Sequence, residues 1–221
     1  MTDLITENLY NQYLAFLLDG RRDKCADIVQ NLLNQSIDIK ILYTDLFQRS
    51  LYQVGELWEL NRISVSREHM ATAITEGLLS LTYPRLFDKK KVTDQKNRVV
   101  VSCVARETHQ VGGRMVADIF ELLGWDSHFL GANTPVDHLL SHIQEETPDL
   151  LGLSLSIYFN FPVLKDSVEK IRNSFSSLDI FIGGQAFRYG GIDEISKWPN
   201  VQYIPSLSRL EEILETDYAF A

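Results

Sequence analysis

The sequence predicts two domains of different class: an all-α four-helix bundle, followed by an α/β domain with a doubly wound, mainly parallel five-stranded sheet. Three observations support this. Residues 1–88 have apolar spacing of helical period and almost no strand pattern. Residues 89–98 are polar and charged, which is typical of a linker. Residues 99–221 alternate short apolar runs with helical stretches, as in a parallel sheet covered by helices.

The first domain contains four amphipathic stretches. In the first two, apolar residues recur at helical spacing: Leu9, Tyr13, Phe16 and Leu17, then Cys25, Ile28, Val29, Leu32 and Leu33. The third stretch spans about 39–58 and the fourth about 66–87. Ser64 or Ser66 can cap the fourth helix, and Glu68 in its first turn stabilises the positive end of the helix dipole. These features predict a four-helix bundle.

The second domain is predicted to contain five strands and four helices. The predicted strands are Val99–Val104, Asp126–Leu130, Leu150–Ile157, Ile180–Ile182 and Val201–Ile204. The helical stretches between them are Gly113–Leu123, Val136–Glu146, Phe161–Phe175 and Gly190–Lys197. This order predicts a Rossmann-like, more specifically flavodoxin-like, domain. In such folds ligands bind at the carboxyl ends of the strands.

Composition limits the classes of partner. The net charge is −9, and the dense basic cluster Lys89–Lys91 falls in the predicted linker, so we predict no direct nucleic-acid binding. No apolar run could span a bilayer, and Met1–Tyr10 lacks a signal pattern. Cys25 and Cys103 lie far apart without metal-like spacing. We therefore predict a soluble protein in the reducing cytoplasm.

Three short motifs fall at the predicted strand ends. The first is E-T-H-Q-V-G, Glu107 to Gly112; the second is S-L-S, Ser154 to Ser156, after 41 intervening residues; the third is Gly183-Gly184, after another 26. Small residues at these positions would let the flat, extended part of a ligand enter between the strand ends. His109 offers an imidazole nitrogen to a transition metal, and Glu107 can accept the other ring N–H. The alternative interpretation of His109 is a polar turn residue.

These motifs resemble the cobalamin-binding domain, whose signature is D-x-H-x-x-G, S-x-L and G-G. The resemblance covers about residues 97–215, with Glu107 in place of Asp and Ser156 in place of Leu. It implies that His109 is the lower axial ligand of cobalt and displaces the cofactor's own benzimidazole base. The displaced nucleotide tail would fill the slot lined by Ser154, Ser156, Gly183 and Gly184. The cofactor-binding residues implied in this domain are Glu107, Thr108, His109, Gln110, Val111, Gly112, Ser154, Leu155, Ser156, Gly183 and Gly184.

The helical domain carries a second motif, Trp58 followed after nine residues by Glu68-His69. It resembles the helical domain of light-sensing, adenosylcobalamin-dependent regulators, which covers the upper face of the corrin. The resemblance implies that Trp58 packs on the adenosyl group and that Glu68 accepts hydrogen bonds from its ribose. His69 would be a second cobalt ligand, from the upper side. Glu59 stands where some of these photoreceptors have a histidine.

Alternative interpretations remain for these and other residues. Trp58 can be a core aromatic of the bundle, and Glu68 an ordinary helix-start carboxylate. The histidines without a partner motif are interpreted as ordinary surface or core residues: His128, His138 and His142. The related regulators often begin with a DNA-binding winged helix, and we predict none here.

The resulting hypothesis is a cobalamin-binding sensor rather than an enzyme. Adenosylcobalamin is the favoured cofactor, and photolysis of its Co–C bond would change domain arrangement, oligomeric state or partner binding. The expected partner is a transcriptional regulator, a signalling protein or a second copy of the chain. The alternative is a corrinoid methyl carrier loaded by a separate methyltransferase. A third hypothesis keeps the fold and changes the chromophore to haem or a bilin.

Overall fold

The computed structural model describes residues 4–88 and 97–218, and it divides into two compact units, 1–88 and 89–221. The predicted linker, 89–98, lies outside the described residues except for Asn97 and Arg98, and Arg98 already belongs to the first strand. Among the described residues, no helix is long and apolar enough to cross a membrane.

The first unit is helical, as predicted. Its helices are α1 Glu7–Leu18, α2 Arg22–Asn34, α3 Ile39–Ile41, α4 Arg49–Glu59, α5 Val65–Leu79 and α6 Tyr83–Asp88. A π-helical segment, Leu42–Gln48, joins α3 to α4, so the third predicted helix is continuous from 39 to 59. The fourth predicted helix is interrupted by a 3₁₀ turn, Ser80–Thr82. Pro84 in the first turn of α6 lacks the N–H that would continue the ladder, which explains the interruption.

Aromatic and aliphatic side chains form the core of this unit. Tyr13, Leu46 and Phe47 are fully buried, and the Tyr43 ring stacks on Phe47 at 6.0 Å between centroids. The hydroxyl groups of Tyr43 and Thr82 lie 2.8 Å apart, which satisfies both within the core. Ser64 caps α5, because its side chain accepts a hydrogen bond from the main-chain N–H of Arg67.

The second unit contains a five-stranded, all-parallel sheet with helices around it. Its strands are β1 Arg98–Cys103, β2 Asp126–Phe129, β3 Leu150–Ser154, β4 Asp179–Gly183 and β5 Val201–Tyr203, in the order β2-β1-β3-β4-β5. Its helices are α7 Val111–Leu122, α8 Val136–Glu146, α9 Phe161–Ser174, α10 Ile192–Ile195 and α11 Leu207–Thr216. The predicted class is confirmed, and all four strand pairings are parallel.

Two predicted boundaries were wrong for identifiable reasons, and one helix was not predicted. β3 ends at Ser154 rather than at Ile157, because the N–H groups of Ser156 and Ile157 donate to a carboxylate described below. α10 is shorter than predicted because Gly190 and Gly191 have φ of 132° and 92°, outside the right-handed helical region. The sequence interpretation missed α11, although Leu207, Leu210, Ile213 and Leu214 are buried at helical spacing.

Candidate functional site

The carboxyl ends of β1, β3 and β4 lie side by side. Cys103, Ser154 and Gly183 are register partners at these ends. The chain leaves β1 towards β2 and leaves β3 towards β4, on opposite sides in the strand order. The loops after β1 and β3 therefore diverge, and such a switch point is where doubly wound folds bind ligands.

Glu107 occupies the centre of this edge. Its side chain is fully buried, and both of its oxygens are hydrogen-bonded. Oε1 accepts the main-chain N–H of His109 at 2.9 Å and pairs with His109 Nδ1 at 2.6 Å. Oε2 accepts the main-chain N–H groups of Ser156 and Ile157, each at 2.9 Å. One carboxylate thus joins the loop after β1 to the loop after β3.

These hydrogen bonds determine the charge state of Glu107. Burial, the largest single influence, would raise the pKa of the Glu107 carboxyl. Hydrogen bonds from the His109 side chain and from the main chain of His109, Ile157 and Ser156 outweigh burial, so its pKa lies below the usual value. Glu107 is therefore an anion at neutral pH and accepts a hydrogen bond from the His109 Nδ1–H group.

The predicted contact between Glu107 and His109 is confirmed, and it defines what His109 can do. With its proton on Nδ1, the imidazole has its lone pair on Nε2, the nitrogen directed away from Glu107. The His109 side chain is 46% exposed. A carboxylate behind an exposed imidazole is the arrangement that metal-binding histidines use, so this donor set fits a cobalt ion.

Two asparagines, missed in the sequence interpretation, hold the Glu107 loop in place. Arg106 has a left-handed backbone, with φ of 67°, and its N–H donates to Asn133 Oδ1 at 2.7 Å. The Asn133 N–H donates in turn to the Glu107 carbonyl oxygen at 2.8 Å. Asn160 is buried, and its Nδ2 donates to the Arg106 carbonyl oxygen at 3.1 Å. The loops after β1, β2 and β3 are thereby tied together.

The glycines at this edge have structural reasons that differ from the predicted one. A Cβ on Gly184, whose φ is 120°, would overlap the Leu155 carbonyl group, and one on Gly183 would lie 3.0 Å from the Ile204 carbonyl oxygen. Gly184 is thus required by close backbone packing, whatever the ligand, and a side chain at Gly183 would need the Ile204 backbone to shift. Gly113 behaves similarly: a Cβ there would lie 3.3 Å from Cys103 Sγ. A Cβ on Gly112 would meet nothing within 4 Å.

The other predicted residues at this edge differ in their solvent exposure. Thr108 is exposed, while Gln110 and Ser156 are partly buried. Leu155 and Val111 are buried, and Leu155 belongs to the apolar core. The side chains of Leu155 and Val111 therefore contribute to packing. Burial raises the pKa of the neighbouring Cys103 thiol to about 12, so it is protonated at neutral pH.

The helical unit places its predicted residues at the ends of two helices. Trp58, near the end of α4, is 43% exposed, so it is not a core aromatic. Glu68 and His69 lie in the first two turns of α5. Glu68 Oε2 lies 2.6 Å from His69 Nδ1, and Glu68 Oε1 accepts the Thr72 hydroxyl at 3.0 Å. The His69 side chain is 75% exposed.

Two family matches agree with this division into units. Residues 97–194 match the family described as B12 binding domain, and residues 9–82 match a second family of the same description. The chain carries both B12-binding domains. The E-x-H-x-x-G, S-L-S and Gly183-Gly184 motifs all lie within the first match.

Individual relatives align with both B12-binding domains. Dimethylamine corrinoid protein 1 of Methanosarcina acetivorans is 23% identical over 192 residues, which are 86% of this chain and 89% of that protein. The HTH-type transcriptional repressor CarH of Myxococcus xanthus is 23% identical over 75% of this chain and 54% of its own length. The structure of the Methanosarcina barkeri monomethylamine corrinoid protein superposes with a TM-score of 0.82 over 96% and 99% of the chains, at 13% identity. This last likeness shows the fold.

Away from the strand ends, the C-terminal B12-binding domain contains a histidine pair that the sequence interpretation missed. His128 and His142, interpreted above as ordinary histidines, lie together with Glu146. The four-residue spacing of His142 and Glu146 places both on one face of α8, and this was the signal available in the sequence. His138, on the same helix, is exposed and lies outside the group.

Proposed function

We propose that this protein binds cobalamin through His109 and carries a methyl group on it, as the corrinoid subunit of a methyltransferase system. The observation that carries this proposal is the buried Glu107 carboxylate holding His109 Nδ1 at the switch point of a B12-binding domain. The dimethylamine corrinoid protein of M. acetivorans supports the methyl-carrier role, since its match spans most of both chains.

Each residue at the strand ends would have a defined task. His109 Nε2 would hold cobalt from the lower side, and Glu107 would fix the orientation and tautomer of the imidazole. Ser154, Gly183 and Gly184 form the edge that would receive the nucleotide tail. When bound, the cobalt supplies the site that accepts a methyl group from one partner and releases it to another.

An exposed apolar surface beside this edge supports a role that depends on partner proteins. Ile157, whose N–H binds Glu107, begins a loop in which Phe159 is 85% exposed and Tyr158 is 40% exposed. Tyr189 and Ile192, which follow β4, are 60% and 41% exposed. Apolar side chains exposed in this way are typical of protein contact surfaces, and a methyl carrier has to present its metal to two enzymes in turn.

The test is methyl transfer with the purified protein. The protein is loaded with hydroxocobalamin, reduced, and mixed with a methylated amine or methanol and the methyltransferases encoded near it. Formation of the methylcobalamin spectrum, lost in His109→Ala, is the expected result. Incubation with haem or a bilin in parallel tests the third hypothesis, since each gives its own absorption spectrum. Failure to bind cobalamin would overturn the proposal.

The second candidate function is the photoreceptor. Its support is the exposed Trp58, followed after nine residues by Glu68-His69, together with the match to a transcriptional repressor. The photoreceptor ranks below the methyl carrier for two reasons. Glu59 stands in place of a histidine, and the match covers only 54% of that repressor. Protein loaded with adenosylcobalamin is illuminated with green light. A spectral change with a change in oligomeric state, reduced in Trp58→Ala, would favour the photoreceptor over the methyl carrier.

A further inference from the structure

A group of metal-type ligands lies apart from His109 and Glu107. His128 belongs to the edge strand β2, and His142 and Glu146 belong to α8. One ligand atom from each residue lies within 4.8 Å of the other two. The two imidazole rings are 5.9 Å apart between centroids, and His128 Nδ1 lies 3.9 Å from Glu146 Oε2.

The group lies nearer the amino end of β1 than the strand ends described above. His128 is paired in register with Val100, three residues before the end of β1. Glu146 is the last residue of α8 and contacts Arg98, the first residue of β1. The group therefore lies towards the amino ends of the strands, whereas Glu107 and His109 follow the carboxyl end of β1.

A second, independent observation that points to a ligand concerns His142. Its Nε2 is buried, and among the described residues none forms a hydrogen bond with it. Buried polar atoms are nearly always satisfied, so a buried imidazole nitrogen without a partner needs an explanation. His142 and Glu146 are one helical turn apart, a spacing at which two side chains of a helix can bind the same ion. A metal ion bound through Nε2 would satisfy this atom.

The surrounding charges favour a divalent cation. Arg98 donates to Asp126 Oδ2 at 2.8 Å and to Glu146 Oε2 at 3.0 Å through its side chain, and to Asp149 Oδ2 at 2.7 Å through its main chain. Three carboxylates against one guanidinium leave a net charge of minus two. His128 Nε2 lies 3.6 Å from Asp126 Oδ1, so the charge of this carboxylate also acts on the imidazole.

We infer that His128, His142 and Glu146 bind a divalent transition metal ion, and two imidazoles with one carboxylate match zinc. At metal–ligand distances of about 2.0–2.2 Å, tetrahedral ligand atoms lie about 3.4 Å apart, so each side chain has to move by about 1 Å. Glu146 has two oxygens, and can bind the ion through one and Arg98 through the other. The ion would join the edge strand β2 to α8, and with three protein ligands it would keep a fourth position for water.

The experiment uses the full chain without cobalamin, in a background of His69→Ala and His109→Ala. This background removes the two imidazole–carboxylate pairs that could also bind metal. Zinc binding is measured by equilibrium dialysis with metal analysis, and thermal unfolding is followed with and without zinc. We expect one zinc ion per chain and a higher melting temperature with zinc.

Three variants in that background decide the result. His142→Gln and Glu146→Gln are each expected to weaken zinc binding at least about 10-fold and to abolish the rise in melting temperature. His138→Gln, on the exposed part of α8, is expected to leave both unchanged. Cobalt(II) added in place of zinc should give the visible absorption bands of a tetrahedral site. Equal zinc affinity in His142→Gln, Glu146→Gln and their parent, or less than one ion per chain in the parent, would overturn the inference.

Discussion

The carboxylate of Glu107 lies 2.6 Å from His109 Nδ1 and also accepts the His109 main-chain N–H at 2.9 Å. The same residue therefore fixes both the backbone position and the ring orientation of the histidine that faces solvent. A metal ligand held in this way keeps its orientation before the metal arrives, which lowers the ordering cost of binding.

Glu107→Gln is predicted to make the stability of the C-terminal unit less dependent on pH. The pKa of Glu107 is lower in the folded chain than in the unfolded chain, so the anion stabilises the fold. This contribution is complete above the unfolded pKa of about 4.3 and is lost as the pH falls through the folded value. At neutral pH the free energy of unfolding of the variant should be lower by about 1–3 kcal/mol, because an amide leaves buried donors unpaired.

The measurement needs a signal from the C-terminal unit alone. In a Trp58→Phe background the remaining tryptophans are Trp125 and Trp198, both in that unit. Urea unfolding followed by their fluorescence, from about pH 7 to about pH 3, should show the difference between the Glu107→Gln variant and its parent shrinking with acid. Glu145→Gln, at an exposed position of α8, is the control. A difference that stays constant with pH would contradict the assigned role.

His109→Ala is predicted to weaken cobalamin binding by at least about 10-fold and to change the spectrum of any cobalamin that remains bound. The reason is the loss of the imidazole nitrogen, with the strand-end edge otherwise intact. Added free imidazole should restore part of the original spectrum, which a merely structural role of His109 would not allow. His138→Ala is the matched control, and unchanged binding in His109→Ala would remove the basis of the proposed function.

The glycines allow fold and ligand binding to be separated. Gly184→Ala should destabilise the apoprotein by more than about 2 kcal/mol, because the methyl group would overlap Leu155 at a positive φ. Gly112→Ala should stabilise α7 by about 0.5–1 kcal/mol, since a Cβ there has open space. If Gly112 is near the cofactor, this stable variant should nevertheless bind cobalamin more weakly. Unfolding curves of the apoproteins and titrations with cobalamin measure the two effects, and a stable Gly184→Ala protein would contradict the packing argument.

Phe159→Ser is predicted to reduce methyl transfer without affecting the fold. Phe159 is 85% exposed, so its replacement should change the free energy of unfolding by less than about 0.5 kcal/mol. If the loop contacts a methyltransferase, the variant should need more of that enzyme to reach half-maximal rate of methylcobalamin formation. Glu169→Ser, at an exposed position of α9, is the comparison. Equal rates for both variants and the parent would exclude this surface from the contact.

Local pattern was sufficient to predict much of the fold and one central contact. The predicted strand Val99–Val104 begins with three β-branched valines, and its residues up to Cys103 form the buried part of β1. Ser64 has the properties of a helix cap and caps α5. The spacing of Glu107 and His109 placed a carboxylate and an imidazole on one turn, where they bond.

Long-range relationships were not predictable from local pattern. The end of β3 depends on Glu107, which lies far earlier in the chain and takes the N–H groups of Ser156 and Ile157. Gly184 is needed because of the backbone at Leu155, and the approach of two loops has no signal in either segment. His128 of β2 and His142 of α8 come together only in the tertiary structure, which spacing along the chain does not encode.

The four hydrogen bonds of Glu107 have a mechanical consequence. One oxygen holds the imidazole, and the other holds the first residues of the loop that contains Phe159. A protein that displaces this loop would therefore shift the imidazole without approaching the metal. Thermodynamic reciprocity then requires that a change at the metal alters the affinity for that protein by the same factor. In a methyl carrier built this way, the affinity for a partner enzyme would depend on whether the metal carries a methyl group.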